Sequence, residues 1–321
     1  MRILVTGANG VVGRAVVKSL ATHGHEVFGL IKREGKKSVV TDVGGMPVVG
    51  DLDNADTYRH AKDVDVIVHA AQADYYRKRV TPGLKKAVAE RDARWTRGLI
   101  EAGAGRAKCF VYTSTSLVYG DRKEEVSEEN SPLNQFRIGD WKAPTEQLAM
   151  TLCKQHGYGS TIIVRPAMVY SAYVERGIFA HGILGPMLAG KPAGYKGDGN
   201  QWFSLIHEDD LGELYARAIE EQPPIGIYNA VDDEPVKNNE WMPYLAQKLG
   251  AKKPLGFPAL AIFVIMGRLS LEVFSSHVRL SGQKAKRELD WAPKYPSYRE
   301  GIAQVVEELT RQGKLGTTAR S

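Results

Sequence analysis

The N-terminal stretch decides the fold: Met1-Arg2-Ile3-Leu4-Val5-Thr6-Gly7-Ala8-Asn9-Gly10-Val11-Val12-Gly13. Residues 2–6 form a short apolar run typical of a buried β-strand, and a helical pattern of apolar residues follows over 11–23. Between the two, glycine recurs at every third position. The first glycine permits a tight turn, the second lets the backbone approach a ligand, and the third lets the helix pack closely on the strand. The stretch therefore predicts a strand, a glycine loop and a helix in direct succession.

A helix that begins in a glycine loop offers unpaired N–H groups and a partial positive charge to an anion. When the loop joins the first strand of an alternating sequence to its first helix, that anion is typically the diphosphate of a dinucleotide. We therefore predict an NAD(P) site at this loop. Its contacts come from Gly7, Asn9, Gly10, Val11, Val12 and Gly13.

The end of the second strand, predicted over 26–31, discriminates between the two dinucleotides. An acidic residue there binds the ribose 2′-hydroxyl of NAD, whereas a basic residue accommodates the 2′-phosphate of NADP. This sequence has Lys32 and Arg33 at that place, and the nearest acid, Glu34, comes one position later. We expect NADP, with NAD as the alternative.

Strand and helix patterns alternate through the first half of the chain, which favours a parallel sheet covered on both faces. We predict a Rossmann-type doubly wound α/β fold with a smaller C-terminal substrate lobe. Further strands are expected at 46–49, 64–71, 109–114 and 160–165, and helices at 84–102, 141–156, 209–219 and 239–249.

Beyond residue 170 the segments become short and rich in glycine and proline. The regular pattern returns over 202–232. The predicted dinucleotide-binding domain is therefore 1–170 together with 202–232, the substrate lobe is 171–201 with 233–312, and a flexible tail spans 313–321.

The composition and charge of the chain argue against several classes of partner. The chain has 321 residues, 43% of them hydrophobic, and a net charge of +6. Its basic runs are not interleaved with aromatic residues, so no nucleic-acid partner is expected. Cys109 and Cys153 lack the spacing of a disulfide framework or metal site, which favours a reducing compartment. The start lacks the form of a cleavable signal, and the most apolar stretch, 257–267, is too short to span a bilayer. We expect a cytoplasmic protein without a metal or membrane partner.

Motifs spread along the chain, in order, resemble those of the extended short-chain dehydrogenase/reductase family, which contains the NAD-dependent epimerases and dehydratases. The matching segments include residues 6–13, Gly50-Asp51-Leu52, Val68-His69-Ala70-Ala71, 113–120, 142–146, 165–170, 206–211 and Tyr228-Asn229.

The resemblance implies roles for particular residues. It places the adenine at Asp51 and Leu52, the neighbouring ribose at Ala70 and Ala71, the nicotinamide ribose at Lys142 and the carboxamide at Pro166 to Val169, and it makes Thr115 the residue that orients the substrate. Thr115 and Lys142 are thus the predicted catalytic residues. The resemblance also implies a homodimer through the helices at 84–102 and 141–156.

The family's acid–base tyrosine is replaced in this chain. The family carries Tyr-x-x-x-Lys, in which the lysine ammonium brings the tyrosine pKa from about 10 toward the working range. Lys142 is preceded at that spacing by Ile138, and Glu146 fixes the register as in the family. Isoleucine has no exchangeable proton, so the family's usual mechanism cannot operate unchanged.

Three hypotheses follow from this substitution. In the first, an oxidoreductase takes its proton from Tyr75, Tyr76, Asp140, Tyr173 or an ordered water. In the second, an epimerase or dehydratase returns the hydride to the same substrate. In the third, the chain binds NADP without catalysis.

The lobe offers candidate residues for the substrate pocket. The apolar segment 258–267 is predicted as a buried helix, with a pocket wall or a subunit contact as alternatives; a pocket wall would favour a substrate less polar than a nucleotide sugar. His207 is given no catalytic role. Candidate lining residues are Phe179, His181, Tyr195, Trp202 and Phe203.

Overall fold

The computed structural model describes residues 1–73, 81–133, 142–266 and 268–315. The strands are β1 Arg2–Thr6, β2 Glu26–Ile31, β3 Met46–Val49, β4 Val66–His69, β5 Cys109–Thr113, β6 Val126–Ser127, β7 Ser160–Pro166, β8 Met168–Tyr170, β9 Gly194–Lys196, β10 Trp202–Phe203, β11 Leu205–His207, β12 Ile225–Ala230, β13 Val236–Lys237, β14 Leu255–Phe257 and β15 Arg279–Leu280. The helices are α1 Val11–Thr22, α2 Lys37–Thr41, α3 Pro82–Gly103, α4 Lys142–Gln155, α5 Gly185–Leu188, α6 Glu208–Glu221, α7 Asn238–Lys248, α8 Ala259–Met266, α9 Arg268–Ser275, α10 Gln283–Leu289 and α11 Tyr298–Arg311.

Seven parallel strands form the central sheet, in the order β12-β7-β5-β4-β1-β2-β3. All residues of β4 and β7 are buried, as expected where helices cover both faces of a parallel sheet. The helices α1 and α6 pack on one face, around Leu20 and Leu214. The helices α3 and α4 pack on the other, around Leu99 and Leu152. This arrangement confirms the predicted doubly wound fold.

The order in which the parallel strands are added reverses between β1 and β4, which lie side by side although two strands separate them in sequence. The carboxyl ends of β5, β4, β1 and β2 therefore lie side by side at one edge. Ligands of open α/β sheets bind at such a switch point. The glycine loop leaves β1 here.

A third apolar core lies in the C-terminal part, around Trp241 and Tyr298. It joins α7 and α11 to the short strands that follow β7. The regular pattern expected over 202–232 begins with two short strands: β10 pairs with β13, and β11 pairs with β8. From the C-terminal part, β12 joins the central sheet, α6 packs on the sheet and α10 packs against β12. The proposed domain limits stay a prediction.

The helix expected at 258–267 forms as α8, but the prediction that it is buried is wrong. Ile262 is buried, whereas Leu260 is 72% and Val264 62% exposed. Apolar residues surround the axis of α8, so the packing of one face leaves the opposite face in solvent. In the described residues, no helix combines the length and hydropathy needed to cross a membrane.

Candidate cofactor and active site

The glycine loop between β1 and α1 has the geometry that its sequence predicts. Gly7 has φ +67°, and a Cβ there would lie 2.7 Å from Ala71 Cα and 2.8 Å from the Ala70 carbonyl oxygen. A Cβ on Gly13 would lie 2.3 Å from the Gly7 carbonyl oxygen. Side chains at these two positions would therefore push the loop away from β4 and α1. Gly10 begins α1 without a side-chain cap, so the helix N-terminus faces the loop with backbone groups alone.

Polar groups tie the ends of β1 and β4 together beside this loop. Thr6 Oγ1 and His69 Nδ1 share a hydrogen bond of 2.8 Å, and the Ala71 N–H donates to Thr6 Oγ1 over 3.1 Å. Complete burial lowers the pKa of His69 to about 4, so its ring is neutral. The segment Ala70-Ala71 is thereby fixed against Gly7.

The end of β2 carries the residues expected to choose between NAD and NADP. The Lys32 ammonium lies 2.6 Å from a carboxylate oxygen of Asp51, which follows β3. Partial burial would raise the pKa of Asp51, but the hydrogen bonds from Lys32 and the Asp53 N–H, together with the charges of Lys32 and Arg91, outweigh it and lower the pKa. The Arg33 guanidinium is exposed and forms no ion pair within the described residues. Two residues predicted for separate tasks, Lys32 and Asp51, thus bind each other.

Thr115 follows β5 at the same sheet edge and is half-buried. Its Oγ1 accepts a hydrogen bond from the Leu117 N–H over 3.3 Å, which starts a single helical turn over Ser116–Tyr119. Because the oxygen accepts this bond, the hydroxyl hydrogen remains for a ligand. Local capping and substrate orientation are therefore compatible at this residue.

Lys142 is the first residue of α4 and its side chain is buried. Its Nζ donates to the Thr113 carbonyl oxygen over 3.2 Å and lies 3.5 Å from both carboxylate oxygens of Asp92 in α3. It also lies 4.7 Å from the centre of the Tyr112 ring. These are long contacts for a buried ammonium.

Asp92 is a site residue that the sequence analysis missed. It lies in the buried stripe of α3, between Val88 and Trp95, where apolar residues are otherwise expected. The Tyr112 hydroxyl donates to it, and burial together with Asp92 raises the Tyr112 pKa well above its usual range. A charged residue at an apolar position of a helical pattern was the signal that could have revealed it.

A second buried ion pair lies one turn further along α4. Arg165 of β7 contacts Glu146 twice, with Nη2–Oε2 at 2.6 Å and Nε–Oε1 at 3.1 Å. Its Nη1 donates to the Tyr119 hydroxyl over 2.9 Å and to the Glu129 carbonyl over 3.1 Å. The Ser114 hydroxyl donates to Glu146 as well. This cluster binds α4 to β5 and β7 behind the sheet edge.

Tyr173 is the predicted proton donor that the structure describes. Its hydroxyl donates to the Asn9 carbonyl over 3.0 Å, and the Arg14 guanidinium lies 5.3 Å from its ring centre. Burial raises its pKa to about 12. The structure therefore places Tyr173 against the glycine loop. The other candidates, Tyr75, Tyr76 and Asp140, and the substituted position Ile138 lie outside the described residues.

The remaining predicted positions divide between backbone and packing roles. Pro166 ends β7, and Val169 is half-buried in β8. Leu52 is buried. Phe179 stacks on Trp241 in the lobe core, with ring centres 6.4 Å apart.

Trp202 and His207 are engaged in structural contacts. Trp202 donates to Glu124 over 2.6 Å. His207 is buried with its pKa lowered to about 4 by burial, and it caps α6 by accepting from the Asp209 N–H over 3.2 Å. Tyr195 and Phe203 are half-buried. The described residues contain no cluster of three or more metal-ligating side chains.

The sequence profile of the NAD dependent epimerase/dehydratase family matches residues 3–230. The chain belongs to this family. It is 26% identical over 314 residues to a 3-diazoavenalumate denitrifying reductase from Streptomyces sp, covering 95% of this chain and 100% of the relative. It is 24% identical to a 4-hydroxy-2-methyl-3-oxo-4-farnesyl-3,4-dihydroquinoline-1-oxide ketoreductase from Stigmatella aurantiaca, covering 99% and 98%.

Among solved structures, the human epimerase family protein SDR39U1 (isoform 2), crystallised with NADPH, has a TM-score of 0.80 at 20% identity. The match covers 96% of this chain and 100% of the human one. These likenesses confirm the family resemblance and the fold that the motifs predict. The residue roles carried by the motifs stay predictions.

Proposed function

We propose that this family member is an NADP-dependent oxidoreductase that interconverts a carbonyl and an alcohol on a small substrate. The observation that carries the proposal is the Lys142 ammonium. It is buried at the edge where β5 ends, and its contacts with Asp92 and the Thr113 carbonyl are 3.2–3.5 Å long. An ammonium held so loosely retains donor capacity for the hydroxyl groups of a ligand.

The geometry of the glycine loop fits a dinucleotide. The close approach of Gly7 to Ala70 and Ala71 leaves a cradle lined by backbone, and the uncapped N-terminus of α1 faces it. When bound, a nicotinamide dinucleotide supplies or accepts the hydride. In this proposal Asp51 and Leu52 hold its adenine end and Lys142 its nicotinamide ribose.

The preference for NADP rests in this proposal on Arg33. Lys32 is engaged by Asp51 at 2.6 Å, so its charge is partly neutralised. The exposed Arg33 guanidinium can form paired hydrogen bonds to a phosphate. The human structural neighbour was solved with NADPH, which supports the same preference. NAD remains the alternative.

Isoleucine at position 138 requires another proton source. Thr115 accepts a backbone hydrogen bond and can donate its own hydrogen to a substrate oxygen, which would orient a carbonyl. A threonine hydroxyl is a poor acid, so we assign it orientation and assign proton delivery to an ordered water. The two curated relatives named as a reductase and a ketoreductase support net redox chemistry over epimerisation.

The first experiment measures the cofactor. In a fluorescence titration, the purified protein should bind NADPH roughly tenfold more tightly than NADH. Arg33→Ser should remove that difference in affinity. Lys32→Ser, the matched control, should have the smaller effect because Asp51 already engages Lys32. Equal affinities in the unmodified protein would overturn the NADP assignment.

The second experiment measures the reaction. NADPH consumption with a panel of aldehydes and ketones should be detectable and should fall in Lys142→Met. Conversion of a nucleotide sugar without net cofactor consumption would replace the proposal with epimerisation. Tight NADPH binding with no turnover of either class would indicate a binding protein.

A further inference from the structure

Large apolar side chains are exposed together at the outer end of the C-terminal part. They lie on β14 and α8, within ten consecutive residues. We call them the apolar face: Leu255 (49% exposed), Phe257 (38%), Leu260 (72%), Phe263 (40%) and Val264 (62%). Large apolar side chains exposed close together typically mark a binding surface.

The local geometry of β14 and α8 directs these side chains outward. In β14, Leu255 and Phe257 alternate with Gly256, so both side chains lie on the same side of the strand. In α8, Leu260, Phe263 and Val264 follow the i, i+3, i+4 spacing of one helix face. Ile262, on the opposite side, is buried and anchors the helix. The exposed residues are thus held outward by a packed element.

Most charges around the apolar face are positive, and the exposed Asp198, which follows the Gly197 whose N–H donates to the Phe257 carbonyl, is an acidic exception. Lys252 and Lys253, both exposed, precede β14, and Arg268 follows α8. In the neighbouring strand β9, Lys196 is paired with Phe257, and Lys191 precedes the same strand. No aspartate or glutamate occurs in residues 241–271 or 176–197, although the whole chain has 37 acidic residues against 43 basic ones. The rim of the face is therefore cationic.

We propose that the apolar face and its cationic rim dock on the surface of an anionic lipid bilayer. Exposed apolar side chains of such a helix enter the boundary between headgroups and acyl chains, and lysines beside them bind lipid phosphates. A second copy of the chain fits less well, because a symmetric contact would bring the same cations together. The proposal departs from the sequence-based expectation of no membrane partner. That expectation rested on the length needed to span a bilayer, which an interfacial helix does not need.

Sedimentation with vesicles tests the proposal on the full chain. The protein should bind vesicles of equal parts phosphatidylglycerol and phosphatidylcholine, bind pure phosphatidylcholine more weakly, and be released by salt. Leu260→Glu with Val264→Glu should reduce binding to the mixed vesicles roughly 100-fold. Lys252→Ser with Lys253→Ser should reduce it roughly tenfold, and only on the anionic vesicles.

Ile225→Glu is the matched control. Ile225 is 64% exposed but lies at the start of β12 in the central sheet, so its replacement should leave vesicle binding unchanged. Thermal unfolding of each variant verifies that it is folded. Unchanged binding by a folded Leu260→Glu/Val264→Glu variant would overturn the proposal. A second result would also overturn it: the unmodified protein does not bind vesicles but forms a dimer, and the Leu260→Glu/Val264→Glu variant is monomeric. That result would assign the apolar face to a second copy of the chain.

Discussion

Two buried ion pairs meet helix α4 one turn apart, and they differ in geometry. Arg165 and Glu146 make two direct contacts of 2.6 and 3.1 Å, and further partners bind the guanidinium. Lys142 and Asp92 approach to 3.5 Å. Both pairs are buried to the same degree. The two pairs therefore do not differ in burial. They differ in the distance between the charged atoms and in the number of further hydrogen-bond partners.

The difference shows how one helix serves two purposes. A planar guanidinium with satisfied donors is fixed in place and contributes to structure. A buried ammonium with long contacts loses hydration energy that its partner offsets incompletely. In the proposed function a bound ligand supplies the missing contacts. We therefore expect damage to the first pair to appear in stability and damage to the second to appear in function.

The largest effect is expected from Arg165→Met. The substitution leaves the Glu146 carboxylate buried without its cation, which should lower the free energy of unfolding by about 3–5 kcal/mol. Urea denaturation measures the loss. The control is Arg311→Met, whose solvent-exposed pair with Glu308 should contribute little to the free energy of unfolding. Similar losses in both variants would contradict the structural role of Arg165.

The next effect separates function from structure at the second pair. In the proposed function Lys142 holds the ligand hydroxyls, so Lys142→Met should lower the turnover of NADPH roughly 100-fold. It should also destabilise the fold, since Asp92 is left without its cation. Adding Asp92→Asn should restore stability but not turnover. Recovery of both would show that Lys142 has only a structural role.

Asp232 is a third buried carboxylate, and it differs from Glu146 and Asp92 because no cation pairs with it in the described part of the chain. Asp232 accepts one hydrogen bond of 3.3 Å from the Glu234 N–H, and its other oxygen has no hydrogen-bond partner in the described part of the chain. Burial raises its pKa from 3.8 to about 9. The folded state therefore keeps a proton that the unfolded state loses, and the stability contributed by this group is present below pH 3.8 and falls as the pH rises toward about 9.

Asp232→Asn should remove that loss. The variant should be more stable than the unmodified protein by about 1–3 kcal/mol near pH 8 and no more stable near pH 4. Thermal unfolding across this range measures the difference. A gain that does not change with pH would show that Asp232 is ionised in the folded protein.

The smallest effects come from the two tyrosines beside the pairs. Tyr112→Phe removes one hydrogen bond to Asp92 and should cost about 1 kcal/mol. Tyr119→Phe should cost more, because the Tyr119 hydroxyl accepts from Arg165 and donates to Asn229. Denaturation of both variants under one condition gives the comparison. A larger loss from Tyr112→Phe would reverse our ranking of the two clusters.

Much of this site was predictable because it depends on neighbours in sequence. The spacing of Gly7 and Gly13 requires close backbone contacts, and the structure has them. The apolar strands that precede Ala70 and Thr115 were also recognisable, within one or two residues at their ends. The sequence pattern was enough to predict these features because each depends on residues close to one another in the chain.

Contacts between distant residues were not predictable. Lys32 was expected to be free for a phosphate, yet it pairs with Asp51, which reaches it from another strand. Asp92 lies 50 residues from Lys142 and was not recognised as its partner. Pairing of this kind depends on how α3 and α4 pack on the sheet, which no single-sequence pattern contains.

The sequence by itself determined the alternating fold and the glycine loop, because periodicity and spacing along the chain specify both of them. Tertiary structure decided which charges neutralise each other and which remain for a ligand. It also decided that the apolar segment forming α8 faces outward. Burial is a property of the packed molecule: an apolar residue is inside only where another element covers it, and over Leu260 and Val264 none of the described elements does.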